Sequence, residues 1–265
     1  MKPLAKALTI AGSDSGAGAG IQADIKTFAA LGVYGTSVIT AITAQNTIEV
    51  TKIFELDPRL VAAQIDAVAE DIGAHAVKTG MLANSRIILT VASKIREYNM
   101  KKLVVDPVMV AKSGDLLLRK EAIAALRARL IPLAAVVTPN IPEAEELTGM
   151  RITTARDVER AASLLIEMGA RSVVIKGGHR KGAAVDVFYD GGTFHQFSSR
   201  RIRTRHTHGT GCTFSAAIAA YLARGENVHT AVARAKEFTT EAIRHGFAVG
   251  AGHSPTHHFH RFWRK

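Results

Sequence analysis

"ALTIAGSDSGAGAGIQADIKTFAALG", Ala7 to Gly32, decides the fold. Ala7 to Gly12 is apolar enough for a buried strand, and it runs directly into a glycine-rich turn. From Ala19 onward the apolar residues Ile21, Ile25, Phe28 and Leu31 are spaced four, three and three apart, the stripe of an amphipathic helix. Gly32 stands where the C-cap of that helix needs a left-handed residue. Strand, glycine turn and helix together make the first half of a βαβ unit.

The pattern continues along the chain. "YGTSVITAITAQ" holds the next strand, and "IEVTKIFEL" alternates as an edge strand or lid element would. "DPRLVAAQIDAVAEDI" opens a helix with Asp57 as N-cap and Pro58 in the first turn. "HAVKTG", "KLVVDPVMV", "AAVVTPN" and "RSVVIKGG" are short apolar strands, with helical segments such as "NSRIILTVASKIREY" and "TARDVERAASLLIEMG" between them. "AAVDVFYDGGTFHQFSS" is a hairpin turning at Asp190-Gly191-Gly192, and two helices close the chain. Strands separated by helices predict an α/β protein with a mostly parallel sheet covered on both faces, in one domain over residues 1–265. The alternative is a core with a small lid around Ile48 to Leu56.

Composition excludes several classes. With 47% hydrophobic residues, 22 Gly and 7 Pro in 265, the chain fits neither disordered nor collagen-like sequence. Cys212 is the single cysteine, which excludes an internal disulfide and any cysteine-based zinc or iron–sulfur centre. The net charge of +11 is uneven: from Arg200 onward eleven Lys/Arg face three acids, a net +8. Such a basic quarter suits nucleic acid, a membrane surface or a phosphorylated small molecule. No nucleic-acid motif accompanies it, so steering and packing are the expected uses. Arg200, Arg201, Arg203 and Arg205 are spaced as a strand would present them. No run reaches 18 apolar residues, and the N-terminus turns glycine-rich too early for a signal peptide; a cytoplasmic protein is expected, with no membrane partner.

Three glycine-rich segments fall at strand-to-helix junctions. "GSDSGAGAG", Gly12 to Gly20, lacks the ending of a P-loop and the spacing of a dinucleotide fingerprint, leaving a permissive loop or a mere tight turn. In "THGTGCTFSAA" the backbone N–H groups of Gly209, Thr210, Gly211 and Cys212 converge at a helix start, a site for an anion. The same field would stabilise a Cys212 thiolate, although a lone cysteine is just as well a small buried hydrophobe. "VVIKGGH" ends a strand on Lys176, either a ligand-facing cation or a solvent lysine. Between these lie Asp106 in "VVDPVM", Lys112 in "KSG", and Asn140 and Glu143 in "TPNIPEAEEL". Asn140 and Glu143 offer hard oxygen ligands for Mg²⁺, or only a helix start with nothing bound. The histidines of the tail, His245, His253, His257, His258 and His260, lack zinc-site spacing and read as surface residues.

Taken in order, "ALTIAGSDSGAGAGIQADIKTFAALGVYGTSVITAITAQNT", "VKTGML", "VVDPVMVAKSGD", "VTPNIPEAEELTG", "VIKGGH" and "THGTGCTFSAAIAAYLARG" resemble the hydroxymethylpyrimidine/phosphomethylpyrimidine kinases of thiamine biosynthesis, in the ribokinase-like superfamily. The resemblance runs from about Leu8 to Phe259. It implies a three-layer αβα ribokinase-like fold, a homodimer, and ATP-dependent, Mg²⁺-assisted phosphorylation of an aminopyrimidine alcohol and then of its monophosphate. It also implies site residues. Gln45 would read the pyrimidine edge, with a donor and an acceptor on one amide. Gly12, Asp14, Ala19 and Thr43 would wall the pocket and Met81 would cover it. Lys176, with Lys112 and Thr210, would meet the nucleotide, and Asp106, Asn140 and Glu143 would stand on the magnesium side. Gly209, Gly211 and Cys212 would supply the anion hole and the base. Two departures stand out: the family more often has a small apolar residue where Thr43 stands, and many sugar kinases of the superfamily have Asp in place of Cys212. A pyridoxal or pyridoxine kinase is the competing enzyme, and a kinase-like binding module the non-catalytic alternative.

Overall fold

The computed structural model describes residues 3–109, 120–178 and 183–263; Lys112 and His179 lie outside them. β1 (Lys6–Asp14) leads to α1 (Gly20–Ala30), then β2 (Tyr34–Gln45) and β3 (Val50–Glu55). Next come α2 (Pro58–Ala67), β4 (Ala76–Thr79), α3 (Ser85–Glu97), β5 (Leu103–Val105) and α4 (Lys120–Ala125). β6 (Val136–Val137), α5 (Ile141–Thr148), α6 (Ala155–Glu167) and β7 (Val173–Ile175) follow. The hairpin β8 (Ala184–Tyr189) and β9 (Phe194–Ser199) precedes α7 (Thr210–Ala223) and α8 (Val228–Arg244).

All nine strands form one sheet in the order β3-β2-β1-β4-β5-β6-β7-β8-β9. The run from β2 to β7 is parallel. β3 is an antiparallel edge, as its alternation suggested, and β8–β9 the antiparallel hairpin at the other edge. The two faces follow from the two-residue period of a strand. Leu8, Ile10, Val77, Leu103, Val105, Val137, Val173 and Ile175 point into a core shared with α2 to α6. Ala7, Ala76, Val104, Val136 and Val174 point into a second core with α1, α7 and α8. Buried on both sides, the central strands read as continuous apolar runs, and the three-layer αβα arrangement results.

The local signals behave as their chemistry demands. The Asp57 carboxylate accepts the Arg59 N–H at the start of α2, and Asn84 caps α3 through the Ile87 N–H. Gly32 adopts φ +70° just beyond α1. Two expectations fail. β9 ends at Ser199, so Arg200 to Arg205 pair in no ladder. The tail is no loose surface segment either: His257 and His258 are buried, His257 N–H bonds to Ala242 O, and the His258 Nε2 pairs with the Thr213 hydroxyl at 3.0 Å.

Candidate active site

The parallel strands all point the same way, so their C-terminal ends deliver side chains to one edge of the sheet. β1 ends on Asp14, β2 on Gln45, and β4 runs on to Gly80 and Met81. Asp106 follows β5, Asn140 lies just beyond β6, and Lys176 follows β7. β1 lies between β2 and β4, so the chain reverses direction of travel across the sheet there, and the crevice opens at that switch. The N-terminus of α7 comes down onto the same edge. A Cβ on Gly211 would sit 3.3 Å from Lys176 Nζ and 3.8 Å from Asp106 Oδ2.

One half of the site is ionic. Asp106 is buried and its Oδ1 accepts from Lys176 Nζ at 3.0 Å and the Thr138 hydroxyl at 3.2 Å. Its Oδ2 accepts from the Ser215 hydroxyl at 3.0 Å. Burial pushes the carboxyl up, but the Lys176 and Lys78 charges and these hydrogen bonds hold it below its ordinary value. Burial likewise opposes the Lys176 charge, yet Asp106 and Glu143 keep it above its usual value. Glu143, 3.9 Å from Lys176, goes the other way: burial and the Asp106 charge raise it to about 7 despite Lys176. Asn140 and Glu143 also form a reciprocal capping box, Asn140 Oδ1 accepting the Glu143 N–H at 2.9 Å and Glu143 Oε2 accepting the Asn140 N–H at 2.8 Å.

The other half is a pocket built around Asp14. Its Oδ1 accepts the Gly16 N–H at 2.8 Å, and its Oδ2 accepts the Ala19 N–H at 2.8 Å and the Gly18 N–H at 3.1 Å. The buried His208 ring adds a fourth contact, Nε2 to Asp14 Oδ2 at 2.9 Å. Burial raises the Asp14 carboxyl, but the His208, Ala19 and Gly16 contacts bring it below its ordinary value. Gly12 faces Met81, whose Sδ would lie 3.0 Å from a Cβ there. The single Thr43 hydroxyl hydrogen is shared between Ser13 O at 2.8 Å and Gln45 Oε1 at 3.1 Å, so the departure at Thr43 places a polar group beside the amide.

Between the halves lies the start of α7. Gly209 caps the helix at φ +73°, and a Cβ there would lie 1.7 Å from Gly18 O; only glycine fits. Among the described residues, the N–H groups of Gly209, Gly211 and Cys212 carry no hydrogen bond, whereas Thr210 N–H is spent on Thr207 O at 3.3 Å. Three donors are therefore left unspent at the helix start rather than the expected four. Of the two readings of Cys212, the structure favours the uncharged, desolvated thiol. Burial pushes its thiol up to about 11, outweighing the nearby Lys78 charge and the Gly20 N–H, so the resting protein holds a thiol and no stabilised thiolate.

Comparison with known proteins fits this geometry. The model of the phosphomethylpyrimidine kinase family matches residues 14–257. A hydroxymethylpyrimidine/phosphomethylpyrimidine kinase of Bacillus subtilis is 53% identical over 256 residues, 96% of this chain and 94% of that protein. The chain belongs to the phosphomethylpyrimidine kinase family. It is a kinase, and its fold is the expected one: an ADP complex of Bacillus subtilis pyridoxal kinase superposes with a TM-score of 0.91 at 45% identity, covering 98% of this chain and 99% of that one. A Clostridium difficile phosphomethylpyrimidine kinase gives 0.82 at 49% identity, over 90% and 99% of the two chains.

The structure thus gathers the sequence candidates Gly12, Asp14, Ala19, Thr43, Gln45 and Met81 in one half of the kinase's crevice. It gathers Asp106, Asn140, Glu143 and Lys176 in the other, with Gly209 to Cys212 between them. Sequence reading missed four members. His208 sits one residue before the glycine it supports, and Ser215 lies one helical turn beyond Gly211. Thr138 follows β6 directly and stands beside Asp106. Lys78 was visible as a lone charge inside an apolar strand; it is fully buried with Asp24 at 2.8 Å.

Proposed function

We propose that the kinase transfers the terminal phosphoryl group of ATP to the hydroxyl of 4-amino-5-hydroxymethyl-2-methylpyrimidine, and then phosphorylates the monophosphate to the diphosphate used in thiamine diphosphate biosynthesis. The observation that carries this reading is the arrangement of three unspent N–H donors at Gly209, Gly211 and Cys212 between an amide-lined pocket and the Asp106–Lys176 pair. Gln45 reads the ring edge, Asp14, Gly12, Ala19 and Thr43 wall it, and Met81 covers it. Lys176 and Thr210 meet the nucleotide phosphates, with Lys112 assigned to the same task from its motif. The substrate oxygen attacks the γ-phosphorus as the bond to the bridging oxygen breaks, and the α7 donors receive the charge on the phosphoryl oxygens. In the small fraction of molecules whose Cys212 has already released its own proton to solvent, the thiolate takes the hydroxyl proton.

The donor set suits Mg²⁺ held mainly by phosphate and water. Asp106 is already committed to Lys176, Thr138 and Ser215, and among the described residues no group of three acidic, His or Cys side chains forms a cage. Glu143 and Asn140 would hold the ion, in part through water, and when bound it neutralises charge on the phosphates. The exposed Ile42 and Phe54, paired across β2 and β3 on one face of the sheet, form an apolar patch that a second copy covers in a homodimer. No described helix is long and apolar enough to cross a membrane, and we place the kinase in the cytoplasm. The basic excess after Arg200 steers phosphorylated substrates and serves no specific nucleic-acid contact.

The test is a steady-state comparison, with ATP and Mg²⁺, of the pyrimidine alcohol, its monophosphate, pyridoxal and pyridoxine. Turnover of both pyrimidines with the highest kcat/KM supports the reading, and turnover of the pyridines alone overturns it. The superposition with pyridoxal kinase across nearly the whole chain favours pyridoxal as a second, weaker substrate.

A further inference from the structure

We infer that His208 is a positioning residue for substrate selection, holding Asp14 and leaving the Gln45 amide hydrogens free for the pyrimidine. The inference rests on the assignment of Gln45 as the residue that reads the pyrimidine edge. The geometry around the ring leads to it. A Cβ on Gly18 would lie 2.2 Å from His208 Cδ2, so the imidazole lies close against the Gly18 backbone, with little room to turn. Its Nε2 stands 2.9 Å from Asp14 Oδ2. An ionised carboxylate only accepts, and Asp14 is held ionised by its three N–H contacts and by His208, so Nε2 carries the hydrogen.

The same Nε2 is 3.5 Å from Gln45 Nε2. A nitrogen that donates to Asp14 cannot also accept from an amide. The oxygen end of Gln45 lies 3.1 Å from the Thr43 hydroxyl, whose single hydrogen is shared with Ser13 O at 2.8 Å, so the nitrogen end faces a donor and finds no acceptor there. Without the imidazole, the Asp14 Oδ2 lone pair that His208 Nε2 occupies is left open on the side the amide nitrogen faces, and the amide would fold onto it. With the imidazole in place, an amide N–H remains for a ring nitrogen and the second lone pair of Oε1 for an exocyclic amino group. That is the complement of a 4-aminopyrimidine edge.

The backbone of His208 ties this arrangement to the phosphoryl side. Its N–H bonds to Ser254 O at 3.1 Å, its carbonyl accepts the Thr256 N–H at 3.3 Å, and the next residue is the Gly209 cap. The tail also holds the turn after Gln45, with His253 N–H on Thr47 O at 2.7 Å. His208 thus links the pocket with the donors that meet the phosphate.

A double-mutant cycle on the full chain tests this, with calorimetric binding of the pyrimidine alcohol as the first readout and KM for ATP as the second. His208→Phe keeps a ring against Gly18 but removes the donor, and it should weaken pyrimidine binding about 10-fold or more while KM for ATP moves less than about 3-fold. His208→Gln places an N–H where Nε2 stood and should recover most of the loss. In a Gln45→Ala background the His208→Phe effect should shrink to about 2-fold or less, because the two residues act through one contact. Wild-type affinity in His208→Phe, an undiminished loss in the Gln45→Ala background, or no recovery in His208→Gln overturns the inference. Wild-type pyrimidine affinity in Gln45→Ala alone strikes the assignment of Gln45 and is distinguished from those results. Should His208→Phe not fold, His208→Asn, whose amide ends short of Asp14, goes through the same cycle.

Discussion

Cys212→Ser decides where the substrate's proton goes. Burial holds the thiol at about 11, so at pH 7 the thiolate is about one molecule in 10⁴. A base so rarely ionised leaves a kinetic signature: turnover should rise about tenfold per pH unit between pH 7 and 9, with no plateau until the thiol itself titrates. Serine fills the same space and preserves the backbone N–H groups of Gly209, Gly211 and Cys212, so pyrimidine affinity should barely change. Its hydroxyl cannot take over as base, and single-turnover phosphoryl transfer at saturating ATP should fall about 10²- to 10⁴-fold and lose the slope with pH. Cys212→Asp is the complement. It supplies a carboxylate of the sugar-kinase kind and should retain partial activity with a flatter profile, because that group is ionised throughout. If Cys212→Ser transfers at near the wild-type rate, and wild type shows no rise above pH 8, the thiol is not the base. The three N–H donors would then carry catalysis, with the proton passing to the phosphate or to water.

Three further outcomes follow from the same structure. Glu143 is raised from 4.5 to about 7, so between those values the folded protein keeps a proton the unfolded chain has released; stability should fall as pH rises through that window, and urea melts of Glu143→Gln should lose that slope. Lys78→Met strands the fully buried Asp24 carboxylate, whose Oδ1 already has no partner, and should cost about 3–5 kcal/mol in chemical denaturation, most of it recovered in Lys78→Met/Asp24→Leu. Phe54→Lys places a charge on the exposed apolar face of β2 and β3 and should shift sedimentation from dimer to monomer without changing the far-UV spectrum; a dimer that persists removes this face as the interface.

What the sequence made legible was whatever depends on near neighbours. The strand from Leu103 to Val105, the break at Pro107 and the Asp106 between them lie within five positions, so the delivery of Asp106 to the sheet edge was readable from the chain alone. The same holds for Lys176 after Ile175 and for the glycine start of α7. His208 was not readable in this way, because its role depends on Asp14, 194 residues away. The tail histidines escape a local reading for the same reason: composition says polar, but His258 finds Thr213 across 45 positions and becomes part of the interior. Cys212 shows the limit most plainly. Spacing reveals the helix field that favours a thiolate, whereas the burial opposing it, and the Asp24 and Asp106 charges that add to it, belong to the folded site and lie far away in sequence. Asn140 and Glu143 show the converse. Their spacing of three suits a metal and suits a capping box, and the structure makes the box without removing the metal reading, since each oxygen that accepts an N–H keeps a second lone pair. The capping box fixes where those lone pairs point, so the local signal and the proposed ligand role are one arrangement, with α5 positioning the oxygens beside Lys176.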